Sequence, residues 1–257
     1  MTPEIARRLE ELRNNRVSGA VELAITAIGI ALATPDQWPE LAREFQSMHP
    51  AIVTVANVGR LLETQNPDLT GLRRSLLEGN RLIAERLKPL FPPGSRVITI
   101  SHSSTAETAL TAVAPGEVYA LESLPGGEGR TLAAKLGVTV VPDAAMGRIV
   151  PSMDCALVGI DAYDRAGAIL HKVGTLPLAL CCAHFRKPFY AAGHSFKLSP
   201  IDTEELLRAT GGPAALFDRT PAELITRIIT EQESYYSYRY AGRNENFVLV
   251  PAIKRQF

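Results

Sequence analysis

The sequence is poor in the residues that announce several large classes of protein. It holds three cysteines in 257 residues, Cys155, Cys181 and Cys182. An odd count with two members adjacent provides neither a disulfide framework nor the spacing of a zinc site. A reducing cytoplasm is the expected compartment. The five histidines show no H-x-x-x-H spacing, so no metal is expected. Lys+Arg and Asp+Glu both number 27. The basic excess that would mark direct nucleic-acid binding is therefore missing. The longest apolar run, "AITAIGIALA", is too short to cross a bilayer, and no membrane partner is expected. The opening "MTPEIARRLEELRNN" is charged where a signal peptide would be apolar. The first strand–helix turn, "SHSSTAET", has no glycine. That argues against a dinucleotide site of the NAD type, and no cofactor is expected. No G-x-S-x-G elbow surrounds any serine, so the Ser–His adjacency at 102–103 carries no hydrolase signature.

What remains is an ordinary globular composition, 46% hydrophobic and 21% charged, on a chain long enough for a large core. Residues 1–92 read as helices only. Thr2 can cap the first, with Pro3 in its opening turn. "SGAVELAITAIGIALA" is apolar on most sides and is expected to be buried. "DQWPELAREFQSM", "AIVTVANVGRLLE" and "LTGLRRSLLEGNRLIAERLKPL" follow. "FPPGS" at 91–95 cannot continue a helix, and a domain boundary is expected there, giving domains 1–92 and 93–257. Beyond it, short apolar strands alternate with helices: "RVITI", "EVYAL", "VTVV", "CALVGI" and "PFYAA". Such alternation means βαβ units, an α/β class and a mostly parallel sheet covered on both faces.

Ligands of open parallel sheets bind outside the carboxyl ends of the strands. Those ends carry Ser101-His102-Ser103, then Glu122, then Asp143, then Asp161, then His194 and Lys197. Loop polarity explains any one of them, but five in succession favour a polar crevice. The loop "SLPGGEGRT" offers glycines before a helix, yet taken alone it is a turn. Asp161 has a plain rival reading as a turn residue in "DAYDRAG". Lys172, just ahead of the apolar helix "VGTLPLALCCAHF", has one as a surface lysine.

The order and spacing of "RVSGAVELA", "HPAIVTVANVGR", "ITISHSS", "ALESLPGGEGRTLAAKL", "VPDAAMGRI", "DCALVGIDAYDRAGAILHKVGT", "KPFYAAGHSFK" and "FDRTPAELITRIITE" resemble one family. It is that of the proteins related to translation initiation factor 2B (α, β and δ subunits), with methylthioribose-1-phosphate isomerase and ribose-1,5-bisphosphate isomerase. The resemblance runs from about residue 16 to about residue 233. It implies a helical amino-terminal domain on a Rossmann-like carboxyl-terminal domain, a phosphosugar pocket between them, and a homodimer or higher even oligomer through the carboxyl-terminal half. In the isomerases a cysteine and an aspartate form an acid/base pair. The aspartate matches Asp161, and the cysteine position holds Ser103. The asparagine–lysine pair matches His171 and Lys172, and the late lysine matches Lys197. The phosphate loop matches Ser18, Gly19 and Ala20, and an arginine position falls on His49. His102 and Glu122 complete the expected binding set, while Glu107 would repel a second phosphate.

The scaffold is thus kept while the chemistry is changed. A thiol ionises near neutrality, whereas a serine hydroxyl needs a partner base. Two readings follow from the resemblance. One is a sugar-phosphate-binding protein with aldose–ketose isomerase activity. The other is a non-catalytic subunit that binds a sugar phosphate or nucleotide and acts through assembly. The Tyr-rich stretch "YYSYRYAGRNENF" lies outside the resemblance and reads as a packed terminus or subunit contact.

Overall fold

Helical spacing of apolar residues builds the first part of the chain. The structure, a computed structural model, describes residues 3–15, 18–48, 52–210, 216–232 and 234–237. Helix α1 (Pro3–Asn14) buries Ile5, Leu9 and Leu12, one stripe at helical spacing. Helix α2 (Ala20–Ala33) is apolar nearly all round and is buried on most sides, as expected. It packs with α3 (Trp38–Ser47) and α4 (Val53–Leu62) around Leu41 and Phe45, both fully buried. A side chain at Gly59 would come within 2.7 Å of the Ala42 carbonyl oxygen, so the absence of a Cβ sets the close approach of α3 and α4. Residue Thr2, expected to cap α1, lies outside the described residues.

Helix α5 (Leu69–Leu87) starts at Asp68, whose carboxylate accepts from the Gly71 N–H at 2.7 Å. Its first half joins the helical core through Leu69 and Leu76. Its second half, with Ile83, Ala84 and Leu87, packs beneath the sheet against Val97, Ala109 and Leu157. One helix therefore stitches the two parts together ahead of the Pro92–Pro93 break.

The sheet that follows contains β1 (Arg96–Thr99), β2 (Glu117–Leu121), β3 (Thr139–Val141), β4 (Cys155–Gly159), β7 (Phe189–Ala192), β9 (Arg227–Ile229) and β10 (Ser234–Ser237), in the order β10-β9-β7-β4-β1-β2-β3. Every pairing is parallel except the last hairpin, β9 with β10. Successive residues point to opposite faces. Val97, Leu157, Ala192 and Ile229 meet α5 and α6 (Ser104–Val113). Ile98, Val158, Ala191 and Ile228 meet α8 (Met146–Ile149) and α9 (Thr175–His184). Burial on both faces is why the strands read as continuous apolar runs. Helix α7 (Glu128–Leu136) links β2 to β3.

A second, smaller sheet was not apparent in the sequence. Strands β5 (Ala162–Tyr163), β6 (Ile169–Lys172) and β8 (Phe217–Thr220) pair antiparallel in the order β5-β6-β8, next to α10 (Thr203–Ala209). Lys172 consequently ends a strand and is buried, where a helix start or an exposed lysine was expected. The helix begins at Thr175. The turn in "DAYDRAG" is made by Asp164, which accepts from the Ala166 and Ala168 N–H groups, and this leaves Asp161 free for other partners. No helix among the described residues is long and apolar enough to cross a membrane.

Candidate functional site

In the large sheet the strand order reverses between β1 and β4, since β2 and β3 lie to one side and β7 and β9 to the other. A crevice opens at such a switch point, where connections leave the sheet in opposite directions. Ser103 follows β1 and Asp161 follows β4, so the two stand on either side of it. After β1, Ser101 adopts a left-handed conformation with φ 68°. Its N–H donates to Ser123 Oγ at 2.7 Å. Ser103 then opens α6, its hydroxyl oxygen accepting weakly from the Ala106 N–H at 3.4 Å. A Cβ on Gly159 would lie 2.5 Å from Ser103 Oγ and 3.1 Å from His171 Cε1. Only glycine at the end of β4 lets these two side chains close over the strand.

Asp161 is placed by its backbone. Its N–H donates to the Leu170 carbonyl at 2.9 Å, which brings the neighbouring His171 to its side. His171 Nδ1 then lies 2.9 Å from Asp161 Oδ2. The imidazole is almost fully buried, while the Asp161 side chain is 31% exposed. His171 Nε2 is buried with no hydrogen-bond partner among the described residues. Lys197, in the 3₁₀ turn Ser195–Lys197 after β7, donates to the Ile160 carbonyl beside Asp161. Lys172 donates to Glu128 Oε1 at 2.9 Å, and the second oxygen of Glu128 is buried without a partner.

This cluster sets the charge states. Burial works to raise the Asp161 pKa, but His171, Lys197 and Lys172 outweigh it and hold the carboxyl below its ordinary value. Burial lowers the pKa of Lys197, with Asp161 and Glu231 opposing. His194, after β7, is fully buried beside Lys197 and its pKa is pushed down to about 3 by burial and then by that charge. Neutral His194 donates through Nε2 to Asn80 Oδ1 at 2.9 Å, and Thr105 donates to the same oxygen at 2.7 Å. A side chain on Gly79 would collide with the His194 ring, which explains the glycine in mid-helix.

The other expected residues divide. His102 turns to Glu107, Nε2 to Oε2 at 2.6 Å, and Lys135 reaches the same oxygen at 3.3 Å. Glu107 is therefore engaged by the His102 ring and by the Lys135 ammonium and is not an open repulsive charge. Glu122 pairs with Arg130 at 2.6 Å. Asp143 accepts from the Ser123 and Leu124 N–H groups at 2.8 Å each, fixing the loop after β2. In the glycine loop, a Cβ on Gly129 would lie 1.7 Å from the Leu121 carbonyl oxygen, so this glycine serves close helix–strand packing. Ser18, Gly19 and Ala20 form the open start of α2. The Ser18 N–H donates to Asn15 Oδ1 at 2.9 Å, and a Cβ on Gly19 would meet nothing. Thr54 donates to the Ala20 carbonyl at 2.7 Å, and its neighbour Val53 packs on Ala162, next to Asp161. The helical part thus meets the strand that follows Asp161 through the start of α4. Position 49 lies outside the described residues.

Four polar residues were not singled out as site residues from the sequence. Glu128 balances Lys172. Glu231 accepts from the Ser195 N–H at 2.8 Å. Asn57 donates to the Phe196 and Leu198 carbonyls at 2.9 and 3.0 Å, clamping the Lys197 turn to α4. Asn80 bridges His194 and Thr105. Glu231, Asn57 and Asn80 partner residues more than a hundred positions away or in another element, and no local pattern signals that. Among the described residues, no group of three or more His, Cys, Asp or Glu side chains could hold a metal.

The arrangement is that of an α/β protein with a helical amino-terminal region, and with a carboxylate, an imidazole and two buried lysines gathered at the switch point of the sheet. The chain belongs to the Initiation factor 2 subunit family, whose profile matches residues 40–233. A translation initiation factor eIF-2B subunit 2-like protein of Pyrococcus furiosus is 28% identical, over 90% of this chain and 96% of its own length. The ribose 1,5-bisphosphate isomerase of Archaeoglobus fulgidus is 26% identical, over 89% of this chain and 88% of its own. The solved translation initiation factor eIF-2B of Pyrococcus horikoshii superposes with a TM-score of 0.76 at 27% identity, covering 91% of this chain and 97% of that one.

Proposed function

We propose that the crevice between β1 and β4 binds a monophosphorylated sugar and that Asp161 serves aldose–ketose isomerisation of an aldose 1-phosphate. The observation that carries this reading is an ionised, partly exposed Asp161 at the switch point, flanked by Lys172 and Lys197. Isomerisation of a cyclic aldose 1-phosphate has a fixed balance. The ring oxygen gains a proton as its bond to carbon 1 breaks. The hydroxyl on carbon 2 loses a proton, and the hydrogen on carbon 2 moves with its electron pair to carbon 1, leaving a carbonyl. Asp161 suits the acceptance of the hydroxyl proton, and residue 103 stands opposite to serve the ring oxygen. The ammonium of Lys172 has three N–H donors, of which Glu128 engages one, so it can also meet an anion. The open start of α2 at Gly19 supplies backbone N–H groups for the phosphate.

A specific observation favours the second reading, a non-catalytic subunit that binds a sugar phosphate or nucleotide. Residue 103 is serine, and the charge of Lys172 is already balanced by Glu128. A thermal-shift screen of pentose, methylthiopentose and hexose phosphates and of nucleotides finds the ligand. A ligand at a hundredfold excess over Kd adds about 2.7 kcal/mol of stability. A coupled ketose-phosphate assay on wild type, Ser103→Cys and Ser103→Cys/Asp161→Asn then separates the readings. The expected order is slow, faster and lost. Three inert proteins with a ligand that binds would establish the non-catalytic reading. The assembly we propose is a homodimer or higher even oligomer, checked by light scattering at micromolar concentration.

A further inference from the structure

Resting on the isomerase reading, we propose that Ser103, His171 and Asp161 form a proton relay, in which His171 Nε2 is the partner base that the serine hydroxyl needs. Three observations carry it. The first is the pairing of His171 Nδ1 with Asp161 Oδ2 at 2.9 Å, which fixes the ring and places the Nδ1 proton towards the carboxylate. The second is that Nε2, on the far side of the ring, is buried and has no partner among the described residues. A buried imidazole nitrogen without a hydrogen bond is costly and calls for a role. The third is the seat of Ser103 across Gly159, where the same missing methyl group would touch both Ser103 Oγ and His171 Cε1. Among the described residues the Ser103 hydroxyl is held only by the long contact with the Ala106 N–H, so a change of rotamer towards the ring sacrifices little.

Other groups do not fill this part. The Cys155 and Cys182 thiols are buried and pushed up to about 12. Lys197 and Lys172 donate to Ile160 and Glu128. His194 stays neutral against Asn80, and His102 faces Glu107. The charged groups around His171 are Asp161 from the end of β4, Lys172 on its own strand, Asp218 opposite it on β8, and Lys197 near Asp161. Asp218 is occupied by the N–H groups of Gly174 and Leu176 at the start of α9. In the ring-closing direction, from ketose phosphate to aldose 1-phosphate, the Ser103 hydroxyl gives its proton to His171 Nε2 and takes the proton of the sugar hydroxyl whose oxygen bonds to carbon 1. The Nδ1 proton passes to Asp161, which gives it to the oxygen on carbon 2 as the hydrogen moves with its electron pair from carbon 1 to carbon 2. Serine and carboxylate are thereby restored, and the imidazole, left protonated at Nε2, returns to its Nδ1–H form by proton exchange with solvent. Ring opening runs the same transfers backwards.

The test needs neither substrate nor turnover. In Ser103→Cys the new thiol reports on its neighbour. Thiolate absorbance near 240 nm and iodoacetamide alkylation are followed against pH, with wild type subtracted for the three native cysteines. The relay requires a thiol that ionises below the ordinary value of about 8.5, and an alkylation rate at pH 7 that falls at least about tenfold when His171→Asn is added. Asn can keep a donor towards Asp161 but has no acceptor at the Nε2 position. A thiol titrating in the ordinary range and unmoved by His171→Asn would overturn the relay. If His171→Asn does not fold, nitrogen-15 spectra of the imidazole in wild type and Ser103→Cys decide. Nδ1 should carry the proton in wild type, and the Nε2 resonance should move on Ser103→Cys. An Nε2–H tautomer in wild type, or an unmoved resonance, would refute it. Turnover of ribose 1-phosphate is measured separately. Its absence would overturn isomerisation, while the thiol titration still decides the proton relay.

Discussion

Two pairs of strand ends along one sheet edge make an instructive comparison. After β2 and β3 stand Glu122 and Asp143, and both are consumed: one by Arg130, the other by two backbone N–H groups. After β1 and β4 stand Ser103 and Asp161, and here the bookkeeping of polar atoms does not close. Among the described residues His171 Nε2 and Glu128 Oε2 are buried without partners, and two lysines are almost fully enclosed. The first pair builds loops. The second keeps unsettled hydrogen-bonding capacity where the connections diverge, the condition a ligand can complete. A polar residue at a strand end is thus weak evidence, and the unsatisfied remainder around it is the stronger signal.

The comparison can be broken most decisively at Asp161. Asp161→Asn should lower isomerase turnover by about 10²–10⁴-fold, the range of general acid–base assistance. Glu122→Gln in the same coupled assay should leave it unchanged. Equal losses in the two variants would erase the distinction.

The next effect is on stability against pH. The His194 pKa falls from 6.5 to about 3 on folding, so between those values the unfolded chain binds the extra proton. Its contribution is whole above pH 6.5 and declines as pH falls towards about 3, at up to about 1.4 kcal/mol per pH unit. The Asp161 pKa is also lowered, so its contribution is present above its unfolded value and is lost only as pH falls through the folded one, in more acid solution. Urea midpoints at pH 7, 5.5 and 4.5 should fall steeply in wild type and less in His194→Gln. Parallel slopes would contradict the burial argument.

Lys172→Ala should weaken sugar-phosphate binding by about 1.5–3 kcal/mol, the scale of a charge-assisted hydrogen bond, with little effect on free sugar. Calorimetric titration giving equal affinity for sugar and sugar phosphate would remove the phosphate from the reading. The smallest effect belongs to the loop-building side. Asp143→Ala should cost about 1–3 kcal/mol of folding stability, since two backbone N–H groups lose a charged acceptor, and leave Kd unaltered. A large change in Kd would bring that loop into the site.

Residue order was enough for the α/β class, the helical first part, five of the strands and the polar edge, because these depend on local periodicity and on strand polarity. Helix α6 falls on the very residues that "STAETALTAV" marks, and β2 on "EVYAL". Family membership was equally legible, since the order of short segments survives where individual side chains change. Which edge residues are already engaged depends on how distant elements pack. Strands β5, β6 and β8 are too short to show a period, and they exist because antiparallel partners meet across distant parts of the chain. That pairing turned Lys172 from an expected helix start into a buried strand end. It also set His171 against Asp161, ten positions away. The contact of Lys135 with Glu107, the pairing of Lys172 with Glu128 and the clamp from Asn57 are likewise contacts between elements. Hydrogen bonds of that kind are fixed by where the backbone brings donors and acceptors, and residue order does not encode them locally.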